Sequence, residues 1–527
     1  MAPPSRRQTS RTSEHQKPTC MVHCCRAFLA IFILISVAIV CLGVFLVLRH
    51  KQVFREVLQR NMPLTPDSPM MDNFKEAPID IYMKFHLFNL TNEEEVLSGG
   101  RPVLQEIGPY VYLNPRIKQN ISFNEDNSQV SFDEVRYYHF QPDLSNGSED
   151  DEFISIDMVA FGILTKAYES GRLALLAKQF IRSKRDTPFT RHRVGDFLTG
   201  KPDKLLKKLL DFMGQQREPN FGILINMETG QPKNGSVDGS YTLFTGKDDL
   251  SHMNGIVEYN GKRRWPDIWP STIKDPKTGA EVNPNDFRGG LGSGQPLMNQ
   301  NSVLTAFSGD ACLTLNVTFQ KRTKVGPIDT LRFGMDTNYW CQYTGQLNRG
   351  LCQSDDLSEC FGNCLVNATG CRGAAMAMSL PHFMGVDEYY RDKVVGLNPD
   401  PEKHGLYLDI DPLVGLPLKV RKRMQMNVPL RAMPFASFTN LPEFTLFPLL
   451  WLEEGGQLKE SAIDTLKGKL HGAYTLFNWG GYVLLLGGIT ALVATVLVFL
   501  IWNQRRSLRL EEEAAKAQTQ AQQQPLI

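Results

Sequence analysis

Two long stretches without a charged residue lie near the two ends of the chain. Residues 27–48 read AFLAIFILISVAIVCLGVFLVL, and residues 480–502 read GGYVLLLGGITALVATVLVFLIW. A helix of roughly 20 apolar residues is long enough to cross the hydrocarbon core of a bilayer. Trp479 and Trp502 lie at the ends of the second stretch, where indole rings favour the headgroup region. The pattern predicts two transmembrane helices.

The first stretch has an alternative interpretation as a cleaved signal peptide. A polar tail of 26 residues precedes it, however, and cationic residues follow it instead of a small-residue cleavage pattern. We therefore interpret it as an uncleaved signal-anchor.

Charge and glycosylation sequons indicate the orientation. The N-terminal tail carries five cationic residues and one acid, which favours the cytosol, although four more cationic residues lie just beyond the first helix. N-x-S/T sequons occur only between the two helices, and N-glycans belong to lumenal or extracellular segments. The sequence therefore predicts that both tails are cytosolic. The predicted glycosylation sites are Asn89, Asn120, Asn146, Asn234, Asn316 and Asn367.

Five segments follow from these elements. They are a cytosolic tail (1–26), a transmembrane helix (27–48), an ectodomain (49–479), a second transmembrane helix (480–502) and a cytosolic tail (503–527).

Within the ectodomain, apolar and polar residues first alternate with the period of a β-strand. The segment IDIYMKFHLFNLT (79–91) shows this pattern. RPVLQEIGPYVYLN (101–114) contains two β-rich runs separated by Gly108-Pro109, and segments 130–140 and 313–323 are predicted as further strands. Helical spacing is concentrated in residues 153–214 and includes the amphipathic piece DKLLKKLLDFMG. Because few helices separate the strands, the sequence predicts an α+β fold with antiparallel pairing.

A cationic cluster follows the first helical segment. It is either the solvated end of a helix or an electropositive docking surface for anionic ligands or an acidic protein. The candidate ligand-binding residues are Arg182, Lys184, Arg185, Arg191 and Arg193, with His192 between the last two.

The cysteines separate by compartment. Cys20, Cys24 and Cys25 lie on the cytosolic side of the first helix and are either palmitoylated or ordinary reduced thiols. Cys41 lies inside that helix. An even number in one lumenal region, 312–371, indicates a disulfide framework, and no CxxC pair suggests zinc. The predicted disulfide cysteines are Cys312, Cys341, Cys352, Cys360, Cys364 and Cys371.

Composition and motifs exclude several classes of protein. The chain has 527 residues and a net charge of +1, which gives no reason to expect nucleic-acid binding. Its mean hydropathy of −0.25 is too polar for a multi-span channel. HExxH and GxSxG motifs are absent, and RGGLGSGQP lacks the Lys-Ser/Thr of a phosphate-binding loop. His252 and His382 each stand alone, and the carboxylates of LDIDP fit a structural turn. We predict no catalytic residue, no metal and no cofactor.

Six segments in order resemble the signatures of the class B scavenger receptors, the cluster of differentiation thirty-six family. The resemblance covers nearly the whole chain. The segments are FNLTNEEEVLSGGRPVLQEIGPYVY (88–112), SYTLFTGKDDL (240–250), FSGDACL (307–313), MSLPHFMG (378–385), GLNPDPEKHGLYLDIDPLVGLPL (396–418) and FPLLWLEE (447–454).

The resemblance implies a large antiparallel β-barrel ectodomain with an apical helical bundle over 153–214. It also implies a largely apolar internal tunnel toward the membrane. A continuous apolar path avoids exposing each CH₂ of a lipid to water, which costs about 0.8 kcal/mol. The resemblance places Lys184 and Arg185 near the lysine by which the family contacts fatty acid. It further implies the pairings Cys312–Cys352, Cys341–Cys371 and Cys360–Cys364.

The last residues, QQQPLI, resemble the lysosomal member's dileucine-type signal, with Leu526 and Ile527 as the signal residues. Gln522 stands where that signal has an acid. Plasma membrane and lysosomal or endosomal membrane therefore both stay open.

Two classes of function follow from the resemblance. One is a receptor that binds lipids, lipoproteins or anionic particles and passes fatty acid or cholesterol through the tunnel. The other is a binding receptor, for sorting a lysosomal hydrolase or for phagocytic recognition, with the apical helices as a protein-docking surface. Whether the chain forms a homo-oligomer is left open.

Overall fold

The computed structural model describes residues 17–170, 187–269, 272–274, 279–291, 296–335, 337, 341, 361–373, 375–433, 438–442 and 444–522. The described residues form two compact units. One consists of the described residues up to 57 and from 468 onward, and the other of those between 58 and 467.

The helices are α1 (Lys17–Asn61), α2 (Met71–Lys75), α3 (Glu93–Leu97), α4 (Met158–Ser170), α5 (Val194–Thr199), α6 (Lys204–Met213), α7 (Thr369–Arg372), α8 (Glu388–Arg391), α9 (Pro401–His404), α10 (Glu460–Leu466) and α11 (Gly472–Gln522). Short 3₁₀ turns cover Pro142–Leu144, Leu250–His252 and Pro381–Phe383, and a π-helical turn covers Lys467–His471.

The strands are β1 (Ile79–Leu90), β2 (Leu104–Leu113), β3 (Arg116–Phe123), β4 (Gln129–Arg136), β5 (His139–Phe140), β6 (Glu152–Ile156), β7 (Phe189–Arg193), β8 (Lys201–Pro202), β9 (Asn220–Phe221), β10 (Ser236–Phe244), β11 (Ile256–Tyr259), β12 (Ile273–Lys274), β13 (Glu281–Val282), β14 (Val303–Ser308), β15 (Leu313–Val325), β16 (Ile328–Gly334), β17 (Val366–Asn367), β18 (Ala377–Ser379), β19 (Tyr407–Ile410), β20 (Pro417–Leu430) and β21 (Thr445–Leu458).

The first unit is a pair of long helices, α1 and α11, which contain the two predicted transmembrane segments. Both helices are long and apolar enough to cross a membrane, and most of their apolar side chains are exposed. They pack closely at glycines: a Cβ at Gly43 would lie 2.6 Å from the backbone nitrogen of Leu485. Close approach at small residues is the usual way in which transmembrane helices associate.

The second unit is built around an 11-stranded antiparallel sheet. Its strands follow the order β14-β15-β16-β19-β20-β21-β1-β2-β5, and β18, with β17 beside it, also pairs with β20. The strands predicted at 79–91, 101–114 and 313–323 are thus confirmed. The hydrogen-bonded path ends at β14 and β5, so across the described residues the predicted barrel is not closed.

A second sheet, in the order β11-β10-β4-β3, contains only the first part of the strand predicted at 130–140, as β4, because residues 139–140 form β5 of the 11-stranded sheet. Its apolar side chains, among them Phe132 and Tyr241, pack with Trp265 and Phe307 in a cluster of their own. The largest core cluster lies along the 11-stranded sheet and includes Phe88, Phe333 and Phe447.

Region 153–214 is only partly helical. Helix α6 confirms the helix predicted for DKLLKKLLDFMG, and helix α4 confirms helical structure over residues 158–170, but strands β6 and β7 pair with each other in the same region. Helix α6 begins at a cap, where the Asp203 carboxylate accepts hydrogen bonds from two backbone N–H groups, and it ends at Gly214 in the left-handed conformation. Its apolar face packs Leu206 and Leu210 against Val159 of α4.

Candidate ligand-binding site

The structure describes only two of the five arginine and lysine residues in the predicted cationic cluster. Arg182, Lys184 and Arg185 lie outside the described residues. Arg191 and Arg193 lie on strand β7 rather than in a helical bundle, and each faces a carboxylate. The guanidinium of Arg191 is 3.3 Å from Glu152, and that of Arg193 is 2.8 Å from Asp150. These exposed ion pairs partly neutralise the half of the cluster that the structure shows.

His192, between these two arginines, is half-buried. Its ring packs 5.6 Å from the ring of Phe153 and 5.1 Å from that of Phe197.

Two disulfides differ from the pairing that the resemblance implies. Cys312 is bonded to Cys371, and Cys341 is bonded to Cys364. The implied pairings Cys312–Cys352, Cys341–Cys371 and Cys360–Cys364 are therefore wrong for these four cysteines. The chain folds back after β17, so that α7 brings Cys371 to the turn that precedes β15. Cys352 and Cys360 lie outside the described residues.

Other predicted sites fall at the margins of the described chain. Leu526 and Ile527 lie outside it, as do the side chains of Cys20, Cys24 and Cys25 on helix α1. Three sequon asparagines are exposed and three are half-buried. The exposed ones are Asn120, Asn146 and Asn234, and the half-buried ones are Asn89, Asn316 and Asn367.

The two central strands of the large sheet, β20 and β21, bury their two faces to different degrees. Successive side chains of a strand point to opposite faces. The buried face carries Arg423, Gln425, Asn427, Trp451 and Glu453. The half-buried face carries Lys422, Met424, Met426, Leu452 and Glu454.

The half-buried face is continuous across the two strands. Met424 lies opposite Leu452, and Lys422 lies opposite Glu454, in the antiparallel register. Met424, Met426 and Leu452 keep accessible surface and also pack against the core clusters of this unit. The face is therefore mainly apolar, with one charged pair next to the apolar part.

Charged residues from both sheets meet beside this face. The group is joined by ion pairs and close electrostatic contacts, and we call it the inter-sheet cluster. Its members are Arg116, Lys118, Glu134, Arg136, Lys233, Asp238, Asp310, Arg372, Lys422 and Glu454.

Short distances connect the inter-sheet cluster across the two sheets. Arg116 of β3 lies 2.9 Å from Glu454 of β21, and the Lys422 ammonium lies 2.6 Å from Asp310 and 3.6 Å from Glu454. On the four-stranded sheet, Arg136 lies 3.1 Å from Asp238.

These cations hold the carboxylates ionised. The ammonium of Lys422 keeps the pKa of Asp310 well below its usual range. Burial opposes ionisation of Glu454, but Arg116 and Lys422 lower its pKa to about 2.

The inter-sheet cluster keeps part of its surface accessible. The side chains of Asp310 and Lys422 are 38% and 25% accessible. Water that reaches these groups solvates charges that a packed core would not tolerate.

A histidine cluster lies on the buried face of the large sheet. The Glu106 carboxylate is shared: its Oε1 is 2.7 Å from Nδ1 of His86, and its Oε2 is 2.6 Å from Nε2 of His382. The His86 ring stacks on Trp451 at 3.7 Å, and the His382 ring stacks on His404 at 4.3 Å. The prediction that His382 stands alone was therefore wrong.

Backbone groups fix the tautomers of two of these rings. The N–H of Asn398 donates to Nδ1 of His382, and the N–H of Asp400 donates to Nδ1 of His404. Each Nδ1 is an acceptor, so His382 carries its proton on Nε2 and donates it to Glu106. Protonating either ring fully would break a backbone hydrogen bond.

Electrostatics agree with this arrangement. Burial, together with the neighbouring His382, lowers the pKa of His404 to about 4. Burial opposes ionisation of Glu106, but the hydrogen bonds from His382 and His86 hold its pKa well below its usual range. The cluster joins β1, β2, the Pro381–Phe383 turn and α9. In the part of the chain that the structure describes, no group of three or more His, Cys, Asp or Glu side chains could hold a metal ion.

Comparison with known proteins identifies the family. The model of the CD36 family matches residues 31–499. The chain belongs to the CD36 family. Scavenger receptor class B member 1 from Mus musculus is 30% identical over 497 residues, which cover 91% of this chain and 92% of that protein. The same receptor from Rattus norvegicus is 30% identical over 494 residues, 91% and 92% of the two chains. Lysosome membrane protein 2 from Homo sapiens is 27% identical over 441 residues, 84% of this chain and 88% of that protein.

Membership of the CD36 family confirms the resemblance found in the six sequence segments. With two helices apolar enough to span a membrane, this CD36-family chain is a membrane receptor. The family consists of receptors rather than enzymes. Asp409 and Asp411 agree with this, since Asp409 makes a bidentate pair with Arg332 and Asp411 accepts from the backbone N–H of Leu413.

Sequence reasoning missed both charged groups of this CD36-family ectodomain. One sequence signal for the inter-sheet cluster is the high density of charged residues in KVRKRMQ (419–425). A signal for the histidine cluster is that the motifs MSLPHFMG and PEKHG each contain one histidine. Neither signal reveals the partners, which come from distant segments.

Proposed function

We propose that this receptor binds lipids or lipoproteins and passes hydrophobic ligands, such as fatty acid and cholesterol, through its ectodomain to the membrane. The half-buried face of β20 and β21 carries the proposal. Its methionines and leucine are apolar, accessible and adjacent, in the centre of the largest sheet. In the proposed tunnel this face forms one wall.

Free energy favours a lipid at this face. Each Å² of apolar surface removed from water stabilises by about 25 cal/mol, and each CH₂ of a lipid gains about 0.8 kcal/mol when buried. Methionine suits such a wall because its flexible, polarisable side chain adapts to ligands of different shape. The names of the mouse and rat relatives, scavenger receptor class B member 1, support a receptor of this kind.

Narrowing the wall tests the proposal. In cells that express matched surface amounts, Met424→Trp should lower uptake of fluorescent cholesteryl ester several-fold, because the indole occupies the space that the lipid needs. Val237→Trp is the control, since Val237 is an exposed apolar residue elsewhere on the ectodomain. Unchanged uptake by the Met424→Trp variant would contradict a lipid path along this face.

Capture at the cationic residues is a separate proposal. Arg182, Lys184 and Arg185 follow an apolar segment, so an amphiphile can meet charge and apolar surface together. An exposed cation contributes only about 0.2–1 kcal/mol and acts over about 8 Å at physiological salt. The Lys184→Ala/Arg185→Ala double variant should therefore slow uptake of anionic lipoprotein at low salt more than at high salt. Equal uptake at both ionic strengths would remove the cluster from the mechanism.

Protein docking is a second candidate function, and one observation favours it. Helix α6 buries Leu206 and Leu210 but leaves Phe212 and Met213 exposed at its C-terminal end. Exposed aromatic and methionine side chains are enriched at protein interfaces. A hydrolase that is sorted by this receptor should bind the Phe212→Ser/Met213→Ser double variant of the receptor more weakly than the wild type. Lipid uptake by the same variant should not change.

Orientation and location are proposed with the function. Both termini lie in the cytosol, and the receptor resides in the plasma membrane or the lysosomal membrane. Glycan mapping should find Asn120, Asn146 and Asn234 modified, since they are exposed. Asn89 should be unmodified, because it is half-buried on strand β1. An absence of glycans at all the exposed sites would contradict a lumenal ectodomain.

A further inference from the structure

The inter-sheet cluster contains more cations than carboxylates. Six of its residues are Lys or Arg and four are Asp or Glu, a formal net charge of +2 in an enclosed place. Its carboxylates are all engaged, so the excess charge belongs to the cations. An excess of enclosed positive charge has a large desolvation cost unless an anion or water compensates it.

Lys233 carries part of this excess. Among the described residues, its ammonium group has no ion-pair or hydrogen-bond partner, although Asp238 and Asp310 lie near enough to act on it electrostatically. Lys233 is half-buried, as are Asp310 and Lys422, so each side chain keeps accessible surface near the others. Burial lowers its pKa, which shows that the surrounding carboxylates do not fully compensate its charge.

Arg372 provides a second unsatisfied group. Its terminal nitrogen pairs with Asp310 at 3.2 Å, but its Nε is buried without a hydrogen-bond partner. Buried polar groups without partners are rare in proteins, and they commonly mark a place that a ligand or an ordered water occupies. Arg372 and Lys233 are electrostatic neighbours of each other, so the two unsatisfied donors belong to one place.

Apolar surface begins directly beside these cations. Met424 follows Lys422 by two residues on the half-buried face, and Leu452 precedes Glu454 by two residues. Two residues along a strand span roughly 7 Å. An amphiphile can therefore place an anionic head among the cations while its alkyl chain lies along the methionines.

We propose that the inter-sheet cluster binds the oxyanion head group of a single-chain amphiphile, a carboxylate or a phosphate monoester, with Lys233 as its principal contact. The alkyl chain then lies against Met424 and Leu452. The proposal rests on the proposed lipid-binding function and specifies a class of ligand and a site within it. It assigns the head group to the interior of the ectodomain, separate from the cationic residues at 182–193.

Photo-crosslinking of the full chain tests the proposal. The receptor is reconstituted in phosphatidylcholine nanodiscs and irradiated with a palmitate that carries a diazirine in its alkyl chain, and the labelled peptides are mapped. Label is expected in β20 and β21. Palmitate and 1-palmitoyl lysophosphatidate should compete for this label. Methyl palmitate, which lacks the charge, and inorganic phosphate, which lacks the alkyl chain, should compete at least tenfold more weakly. The relative potency of the first two competitors distinguishes carboxylate from phosphate.

Three variants separate the charge of Lys233 from its structural effects. Lys233→Met should weaken palmitate competition by about tenfold, the effect of losing one charge-assisted contact. Lys233→Arg should restore it. Lys262→Met, at an exposed lysine, is the matched control and should behave like the wild type. Acquisition of complex glycans reports whether each variant folds.

The outcomes distinguish this proposal from the proposed function. Equal palmitate binding by Lys233→Met and wild type, or equal competition by methyl palmitate, overturns the head-group site. Labelling of β20 and β21 by a photoactivatable cholesterol, without labelling by the palmitate probe, overturns the head-group site and leaves lipid binding in place. Absence of label from both probes overturns both.

Discussion

The Nε2 atom of His382 lies 2.6 Å from a carboxylate oxygen of Glu106, although 276 residues separate them in the sequence. The contact depends on a strained backbone, since His382 and Phe383 both have φ near +55° (54° and 55°), in the left-handed region that favours glycine. The His382 N–H donates to the buried side chain of Gln425 at 2.6 Å, which holds this conformation. The strain is therefore offset by hydrogen bonds from both the ring and the backbone.

The histidine cluster predicts that acid destabilises the ectodomain. The pKa of His404 is lowered from 6.5 to about 4, so between these values the unfolded chain takes up a proton that the folded chain does not. Stability falls as the pH is lowered through this window, by at most about 1.4 kcal/mol per pH unit. The charged or titratable groups that act on His404 are His382, Glu106, Asp400 and Arg423.

His404→Gln should flatten this dependence, because its amide oxygen can accept from the Asp400 N–H and does not titrate. Thermal unfolding of the detergent-solubilised receptor at pH 7.5 and pH 5.0 provides the measurement. We expect a smaller loss of Tm between the two values for the variant than for the wild type. An equal loss would show that other groups set the acid sensitivity.

The disulfide pairing leads to a second prediction. Peptide mapping without reduction should recover Cys312 linked to Cys371, and Cys341 linked to Cys364. The bridges close loops of 59 and 23 residues, for which chain entropy gives about 4 and about 3 kcal/mol. Cys312→Ser, Cys371→Ser and the double variant should all be destabilised equally, since each breaks the same bond. A double variant much less stable than either single one would contradict this pairing.

Glu453 should be among the most sensitive charged residues of the sheet. Its buried carboxylate accepts from Arg423 at 2.7 Å and lies 3.1 Å from Lys84 and 3.4 Å from Arg421. Glu453→Gln leaves three cations without their shared counter-charge, and we expect a loss of about 3–5 kcal/mol in the free energy of unfolding. Asp267→Asn is the control, because its ion pair with Arg264 is exposed and should contribute less than about 1 kcal/mol. Urea titrations of both variants measure the free energy of unfolding. Similar losses in the two variants would contradict the special sensitivity of Glu453.

The helix pair of the first unit should separate when a side chain is added at Gly43. A Cβ there would lie 2.7 Å from the Leu485 Cα, and backbone cannot move aside as a flexible side chain can. Cysteines introduced by Leu46→Cys and Gly481→Cys should form a disulfide in membranes, and Gly43→Leu should suppress it. Gly487→Leu is the matched control, because no atom lies within 4 Å of a Cβ at that position. Equal cross-linking in both variants would show that this packing does not hold the helices together.

Local patterns in the sequence determined much of the architecture. An uncharged run of about 20 residues specifies a membrane-spanning helix wherever it occurs, because each polar or charged residue there would cost free energy in hydrocarbon. Alternation of period two likewise located β1, since it requires only that one face be buried. Helix α6 was predictable from its apolar spacing, its Asp203 cap and the glycine that ends it.

Only the tertiary structure decided which distant residues meet. Six cysteines allow fifteen pairings, and the path of the chain between β17 and α7 selects Cys371 as the partner of Cys312. Lys422 and Asp310 are separated by 112 residues, and Glu106 and His382 by 276, so no local pattern relates them. Their pairing depends on strand register, which a shift of one residue would invert by turning every side chain to the opposite face. For the same reason, only the neighbours of β20 decided that Met424 keeps accessible surface while Arg423 is buried.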